Sequence, residues 1–144
     1  MIGVLHHVGI STPDIERAID FYTAHFGFEV IDRSNWGAGT TVRDRQLHAE
    51  NSIAEHAMML REGMRLELRE YRHPAGRPKA VDQPAVDHGI NHFCFAVDSV
   101  QGEYDRLSAE GVVFDCEPLE VREGVWLTYA RDPDGNIIEL LSGL

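Results

Sequence analysis

The sequence predicts an α+β fold built from two tandem βαβββ modules within a single domain of 144 residues. Hydrophobic periodicity gives the same order of elements twice: a strand, a helix and three further strands. Each copy also carries a histidine on its first strand and a glutamate on its last. We therefore assign the first module to about residues 1–72, a linker to about 73–88 and the second module to about 89–144.

Fixed landmarks support this internal repeat. His7 precedes Gly27 by 20 residues, and His92 precedes Gly111 by 19. In both copies the glycine stands where a helix is expected to end, because glycine readily adopts the left-handed conformation that closes helices. The segment between the copies is rich in proline, glycine and charge, which is typical of a linker.

The first module opens with an apolar stretch followed by a helix-start signal. Thr12 is expected to cap this helix, with Pro13 at its first position and Asp14 near its positive end. The apolar side chains at helical spacing should face the core, and they are Ile15, Ala18, Ile19, Tyr22 and Phe26. The strands of this module are predicted over residues 4–10, 28–33, 55–60 and 64–71.

The second module repeats this order. Asp98 or Ser99 is expected to cap a helix that carries Val100, Tyr104 and Leu107 on one face. The segment Asp132-Pro133-Asp134-Gly135 is a strong turn signal before the last strand. The strands are predicted over residues 92–97, 112–116, 125–131 and 136–141.

Composition narrows the range of partners and compartments. The formal net charge is −11, so most of the surface would repel DNA or RNA, although a local arginine still allows an anionic small substrate. No apolar run approaches the roughly 20 residues that span a bilayer, and no signal peptide is recognisable, so a cytoplasmic protein without membrane contact is expected. Cys94 and Cys116 lie outside any thiolate metal motif and are expected to be buried, reduced thiols.

The two glutamates at the ends of the modules indicate a metal site. Glu67 and Glu139 are each bracketed by apolar residues on a predicted strand, where a carboxylate is costly unless it is paired or bound to a metal. Each is matched to a first-strand histidine, His7 or His92. Two imidazoles and two carboxylates neutralise a divalent cation and leave one or two coordination positions for substrate or water.

Several further polar and aromatic residues fall on strands or loops that should border the same site. Glu50 is a candidate proton carrier by its rough spacing from Glu67, although a solvated loop charge is the simpler interpretation. The other candidates are Trp36, His48, His56, Tyr71, His73, Arg122, Trp126 and Tyr129.

The motifs along the chain resemble one known group of proteins, the vicinal oxygen chelate superfamily. The group includes glyoxalase I, methylmalonyl-CoA epimerase, extradiol dioxygenases and bleomycin-resistance proteins. The matching segments are His7-Val8-Gly9-Ile10, residues 13–22, Gly27-Phe28, Leu66-Glu67-Leu68, residues 89–98 and residues 132–140. The resemblance covers nearly the whole chain and is more specific for the superfamily than for any branch of it.

This resemblance implies a fold, a ligand set and a cofactor. It implies paired modules whose curved mixed sheets form a cleft around one divalent metal ion per chain, namely Zn, Ni, Co, Mn or Fe. The ligand positions of the family are occupied here by His7, Glu67, His92 and Glu139. Glu139 and Glu67 are also the candidates for catalytic proton transfer. The resemblance further implies a homodimer.

The reaction that the resemblance favours is proton transfer next to a carbonyl, through a metal-stabilised enolate or enediolate. The substrate would carry vicinal oxygens or a thioester, as in lactoylglutathione lyase-like or epimerase-like enzymes. The stretch after His7 lacks the arginine that is typical of members using glutathione and is more similar to the epimerases. An extradiol dioxygenase is a second hypothesis, less favoured because Glu67 would crowd its two-histidine, one-carboxylate iron site. A binding protein that sequesters a small molecule or antibiotic is the third.

Overall fold

The computed structural model describes residues 1–144 and divides them into two compact units, Met1–Pro78 and Lys79–Leu144. Each unit contains its own β-sheet with helical segments. The predicted mixed α+β fold with two sheets is confirmed. The boundary between the units lies inside the segment assigned to the linker, and the finer domain organisation stays a prediction.

The first unit contains a four-stranded sheet in the order β1-β4-β3-β2. The parallel pair is β1 with β4, and the other neighbours are antiparallel. The elements are β1 (Val8–Ser11), α1 (Ile15–Phe26), β2 (Glu29–Trp36), α2 (Thr41–Leu47), β3 (Ile53–Arg61) and β4 (Met64–His73). The short helix α2 was not predicted, because its seven residues bury no side chain and therefore leave no apolar period in the sequence.

Helix α1 forms as its periodicity predicts, but its cap differs. All five apolar residues named from the sequence are buried, and Gly27 closes the helix at a φ of 67°. The N-cap is Asp14, whose side chain accepts a hydrogen bond from the Arg17 N–H, so the assignment of the cap to Thr12 was wrong. Pro13 therefore precedes the helix, and the carboxylate of Asp14 takes the capping role that a helix N-terminus favours.

The first strand also differs from its prediction. It begins at Val8 rather than at residue 4, and residues 1–7 lie outside any strand. In the parallel register Val8 lies opposite Leu66, and β4 itself begins only at Met64. Residues before position 6 thus have no neighbouring strand to pair with. The apolar side chains there are exposed, so hydrophobicity alone overextended the strand.

The second unit contains a five-stranded sheet in the order β5-β9-β8-β6, with β7 paired to β8 off this path. Strand β5 is parallel to β9. The elements are β5 (His92–Ala96), α3 (Val100–Ala109), β6 (Val113–Phe114), β7 (Leu119–Arg122), β8 (Val125–Arg131) and β9 (Ile137–Ser142). Of the two proposed caps of α3, Ser99 is correct, since its side chain accepts from the Gly102 N–H.

Two details of the second unit depart from the sequence analysis. The strand predicted over residues 112–116 is reduced to β6, and β7 was missed. The residues of β7, Leu119-Glu120-Val121-Arg122, do alternate between apolar and polar, but four residues are the minimum for such a signal and all four are exposed. The turn at Asp132 forms as predicted, and its carboxylate accepts from the Asp134 and Asn136 N–H groups at 3.0 and 2.8 Å.

Each sheet buries one face and leaves the other partly open. In the first unit Leu66 and Leu68 are fully buried, whereas Glu67 between them is only half-buried and points to the opposite face. In the second unit Ile138 and Leu140 flank Glu139 in the same way. No helix in the structure combines the length and the hydropathy that crossing a membrane requires.

Candidate metal centre

The first unit brings His7 and Glu67 together. The parallel register places Gly9 opposite Glu67, and His7 lies directly before the strand that carries Gly9. The Nε2 atom of His7 lies 3.6 Å from Oε2 of Glu67. A Cβ at Gly9 would lie 3.5 Å from the same oxygen, so the glycine leaves open space beside the carboxylate. The other ring nitrogen of His7, Nδ1, lies 2.9 Å from Nδ1 of His6.

The second carboxylate oxygen of Glu67 has different partners. Arg69 donates to Oε1 from Nη2 at 2.7 Å, and His56 Nε2 lies 3.2 Å from the same atom. Burial raises the pKa of Glu67, but the hydrogen bond and the charge of Arg69 outweigh it and hold the pKa below its usual value. Glu67 is therefore a carboxylate at neutral pH, with Oε1 held from one side and Oε2 turned toward His7.

His56 continues this network away from Glu67. Its Nδ1 lies 3.2 Å from the Ser34 hydroxyl and 3.6 Å from Oδ2 of Asp32. The sheet register explains the arrangement, because Ser34, His56 and Arg69 occupy one row across β2, β3 and β4. His56 thus holds the carboxylate of Glu67 in the way that outer hydrogen-bond partners orient metal ligands.

The second unit brings His92 and Glu139 together in the equivalent place. Cys94 lies opposite Glu139 in the parallel register, as Gly9 lies opposite Glu67. His92 Nε2 lies 3.0 Å from Oε2 of Glu139, and the ring of Tyr129 lies 5.3 Å from the imidazole. The Nδ1 atom of His92 is buried without a hydrogen-bond partner. In this pair, one imidazole nitrogen therefore faces one carboxylate oxygen.

Cys94 shares the face of Glu139 rather than the buried face of the sheet. It is exposed and free, so the expectation of a buried thiol was wrong for this residue, while Cys116 is half-buried and free. Strand alternation explains the exposure. Cys94 lies two residues after His92 on β5, so the two side chains lie on the same face of the sheet. Although the residue as a whole is exposed, its thiol group is partly desolvated, and this desolvation, the charge of Glu139 and a hydrogen bond to Glu139 together raise the pKa of the Cys94 thiol to about 11.

A slow alkylation of Cys94 follows from this raised pKa. In metal-free protein the rate with iodoacetamide should rise about tenfold per pH unit from pH 7 to 9.5 without a plateau, because only the thiolate reacts. Glu139→Gln removes the neighbouring charge and should speed the reaction. Peptide mass spectrometry measures the rate for Cys94 separately from Cys116. A plateau near the ordinary thiol pKa of about 8.5 would contradict this expectation.

The donor chemistry of both pairs fits a divalent transition metal. Each pair offers an imidazole nitrogen and a carboxylate oxygen, which are ligand types of Zn, Mn, Fe, Co and Ni sites. The facing atoms are separated only by the distance of an ion pair, so small side-chain rotations would direct both toward an ion. Neither pair forms part of a larger group of three or more His, Cys, Asp or Glu side chains arranged to hold a metal.

The other residues named from the sequence separate into two groups. Trp36, His56 and Tyr71 lie on the face of Glu67, and Tyr129 lies beside His92. The remaining candidates are exposed and form no hydrogen bond or ion pair with either pair: Glu50, His48, His73, Arg122 and Trp126. Glu50 therefore keeps the simpler interpretation of a solvated loop charge.

Two arginines on the Glu67 face were missed by the sequence analysis. Arg69 contacts Glu67 directly, and Arg43 stacks on Trp36 with 4.9 Å between its Cζ and the ring centroid. The position of Arg69 two residues after Glu67 on one strand was a usable signal, because such residues share a face. Arg43 lies on the unpredicted helix α2 and left no such signal.

Comparisons with known proteins point to one superfamily. The sequence profile described as Glyoxalase/Bleomycin resistance protein/Dioxygenase superfamily matches residues 4–140. An ethylmalonyl-CoA/methylmalonyl-CoA epimerase of Cereibacter sphaeroides is 31% identical over 145 residues, covering 97% of this chain and 98% of that protein. A lactoylglutathione lyase of Pseudomonas putida is 27% identical over 151 residues, covering 96% and 84%.

Solved structures share the fold. A glyoxalase family protein from Bacillus cereus has a TM-score of 0.87 at 22% identity and covers 100% of this chain and 96% of its own. The fosfomycin resistance protein FosX from Listeria monocytogenes, complexed with Mn(II) and sulfate, has a TM-score of 0.66 at 22% identity, covering 100% and 95%. At these identities the likeness shows the fold alone.

Proposed function

The chain belongs to the glyoxalase/bleomycin resistance protein/dioxygenase superfamily, and we propose that it is a divalent-metal-dependent enzyme catalysing proton transfer next to a carbonyl group. The observation that carries the proposal is the repeated histidine–glutamate pair. In each unit the histidine at the first strand faces the glutamate of the last strand, at 3.6 Å for His7 and 3.0 Å for His92. The recurrence of the pair at equivalent positions of both units is what a metal site built from both modules requires.

We propose that His7, Glu67, His92 and Glu139 hold one divalent ion per chain. The support is the donor set of each pair and the superfamily membership, in which a fold relative is recorded with Mn(II). When bound, the ion supplies Lewis-acid stabilisation of negative charge on the substrate carbonyl oxygen. That both pairs share one ion, and whether the metal is Zn, Ni, Co, Mn or Fe, are parts of this proposal.

The residues of the chain divide the remaining work. Arg69 and His56 hold Oε1 of Glu67 and keep the carboxylate oriented. Arg69 also stabilises the negative form of Glu67, which makes it the weaker of the two catalytic candidates as a proton acceptor. Glu139 has no arginine partner and lies beside Cys94 and His92. We therefore propose Glu139 as the group that moves the proton on the carbon next to the carbonyl.

The substrate class follows from this chemistry and from the relatives. A molecule with vicinal oxygens, or a thioester with an acidic neighbouring carbon, meets the requirement of charge stabilisation on oxygen. The relatives that are named as a CoA-ester epimerase and a lactoylglutathione lyase act on these two kinds of molecule. We favour an acyl-CoA thioester over a glutathione adduct, since the residues after His7 lack the arginine that is typical of members using glutathione.

Metal analysis combined with a substrate screen tests the proposal. Protein purified without added metal should contain, or take up, about one Zn, Ni, Co, Mn or Fe per chain. It should then act on acyl-CoA thioesters or α-keto hemithioacetals rather than on catechols. A chain that takes up no metal and yet binds a small molecule tightly would be a sequestering protein, and the enzyme proposal would be wrong.

We also propose that the protein is a homodimer, as the superfamily resemblance implies. Light scattering at micromolar concentration should give about twice the chain mass of 16.2 kDa. A mass equal to that of one chain, unchanged as the concentration is raised tenfold, would contradict the dimer.

A further inference from the structure

Two arginines converge on one tryptophan in the first unit. The Cζ atoms of Arg43 and Arg69 lie 4.9 and 5.8 Å from the centroid of the Trp36 ring. Both distances are within the range of cation–π contact, and Tyr71 approaches the same ring edge-on at 6.2 Å. This arginine–tryptophan cluster, defined as Arg43, Arg69, Trp36 and Tyr71, lies on the face of the sheet that carries Glu67.

The elements that build this cluster hold its aromatic centre in place. Trp36 ends β2 and is buried, and its indole N–H donates to the Ser52 hydroxyl at 3.0 Å. The Ser52 hydroxyl in turn donates at 2.6 Å to the carboxylate of Asp44, the residue that follows Arg43 on helix α2. The same carboxylate accepts from the Ser52 and Asn51 backbone N–H groups. The tryptophan and the helix that carries Arg43 are therefore fixed relative to each other.

The charges of the cluster are incompletely compensated. Arg43 forms no ion pair, and its only hydrogen bond goes to the Gln46 side-chain oxygen at 3.1 Å. Arg69 pairs with one oxygen of Glu67 and donates to the Tyr71 hydroxyl at 3.2 Å, while its buried Nε has no partner. The other nearby carboxylate, Asp44, is engaged by Ser52 and Asn51. Of the two guanidinium groups, only that of Arg69 is therefore paired with a carboxylate, although the net charge of the chain is −11.

We propose that Arg43 and Arg69 bind an anionic group of the substrate, a carboxylate or a phosphoryl group, beside Glu67. This inference rests on the proposed function, because it names the substrate class of the same site. Guanidinium groups present planar sets of N–H donors that match carboxylate and phosphate oxygens. An anion held there would relieve the repulsion between the two cations. Because Arg69 also contacts Glu67, the anion would lie next to a proposed metal ligand.

Arg43 is the residue that isolates this role. Arg69 also contacts Glu67, so its replacement would disturb the candidate metal centre, whereas Arg43 has no contact with Glu67. Arg45 lies on the same helix, is exposed and forms no hydrogen bond or ion pair, and it serves as the matched control. The chain has two tryptophans, so Trp126→Phe leaves Trp36 as the sole indole fluorophore.

The experiment titrates metal-free W126F protein with malonate, inorganic phosphate and neutral malonamide at constant ionic strength, while Trp36 emission is recorded. We expect saturable binding of malonate or phosphate, whichever group the site prefers, and no response to malonamide. R43Q should weaken the anion Kd at least tenfold, and R45Q should leave it within twofold. Circular dichroism verifies the fold of each variant, and R69K, which keeps the charge but not the planar donors, should also weaken binding.

Either of two results would overturn the proposal. Absence of saturable binding for both anions, or the same Kd in R43Q and its parent, would show that the cluster is structural only. Because the titration uses no metal and no turnover, its failure leaves the metal analysis untouched. Conversely, a protein that takes up no metal but binds malonate through Arg43 would contradict the proposed enzyme while supporting the anion site.

Discussion

Replacing His92 with alanine is expected to lower metal affinity and activity together by more than about 100-fold, because even outer partners of metal ligands account for 10–100-fold. His92 supplies the imidazole nitrogen that faces Glu139 at 3.0 Å. Purified H92A should therefore hold well below one ion per chain by elemental analysis. The matched control is His88→Ala, an exposed histidine of the same unit that has no place in either pair and should retain its metal.

A second variant extends this test to the first unit. Glu67→Gln keeps the size of the side chain and removes its charge, so it should lower metal content as H92A does. If both variants keep a stoichiometry near one, the ion is held elsewhere and the four-ligand assignment is wrong. A loss in H92A alone would restrict the site to the second unit.

Replacing Leu68 with alanine should cost about 2–5 kcal/mol of unfolding free energy, the range measured for buried leucines in other proteins. Leu68 is fully buried on the face of β4 opposite Glu67, between Ile10 of β1 and Ala57 of β3. The cavity would remain because its neighbours belong to the same sheet and have little freedom to collapse. Denaturant unfolding of metal-free protein measures the effect without the contribution of bound ligand.

The control for this prediction is Val42→Ala. Val42 is also apolar and belongs to the same unit, but it is 75% exposed, so its truncation should change stability by no more than about 0.5 kcal/mol. A cost below 1 kcal/mol for Leu68→Ala would mean that β4 is not packed on a closed core.

The repeat made the two-sheet fold and the two pairs accessible from the sequence. A histidine at the first strand and a glutamate between apolar residues on the last strand become neighbours through one parallel strand pairing, which is the same in both units. Alternation then assigns Glu67 and Glu139 to the face opposite the buried leucine and isoleucine side chains. These are local patterns, and local patterns were sufficient to identify the pairs.

The features that escaped the sequence depend on tertiary geometry or on exposed elements. Helix α2 buries nothing and has no hydrophobic period, and the apolar–polar alternation of β7 is only four residues long. The stacking of Arg43 on Trp36 needs the position of α2, whereas the bond from Arg69 to Glu67 follows from alternation along β4 and was overlooked. Cys94 was expected to be buried because cysteine usually is. Its position on β5, opposite Glu139, instead places it on the exposed face of the sheet.

The central claim is that the protein moves a proton next to a carbonyl and uses no oxygen. Once the substrate is identified, incubation in heavy water under anaerobic conditions tests this claim most directly, with the carbon-bound hydrogen followed by mass spectrometry or NMR. We expect deuterium at the carbon next to the carbonyl, with Zn, Ni, Co or Mn supporting the exchange in place of iron. Turnover that requires both iron and oxygen, with a ring-opened product and no deuterium at that carbon, would contradict it and identify a dioxygenase.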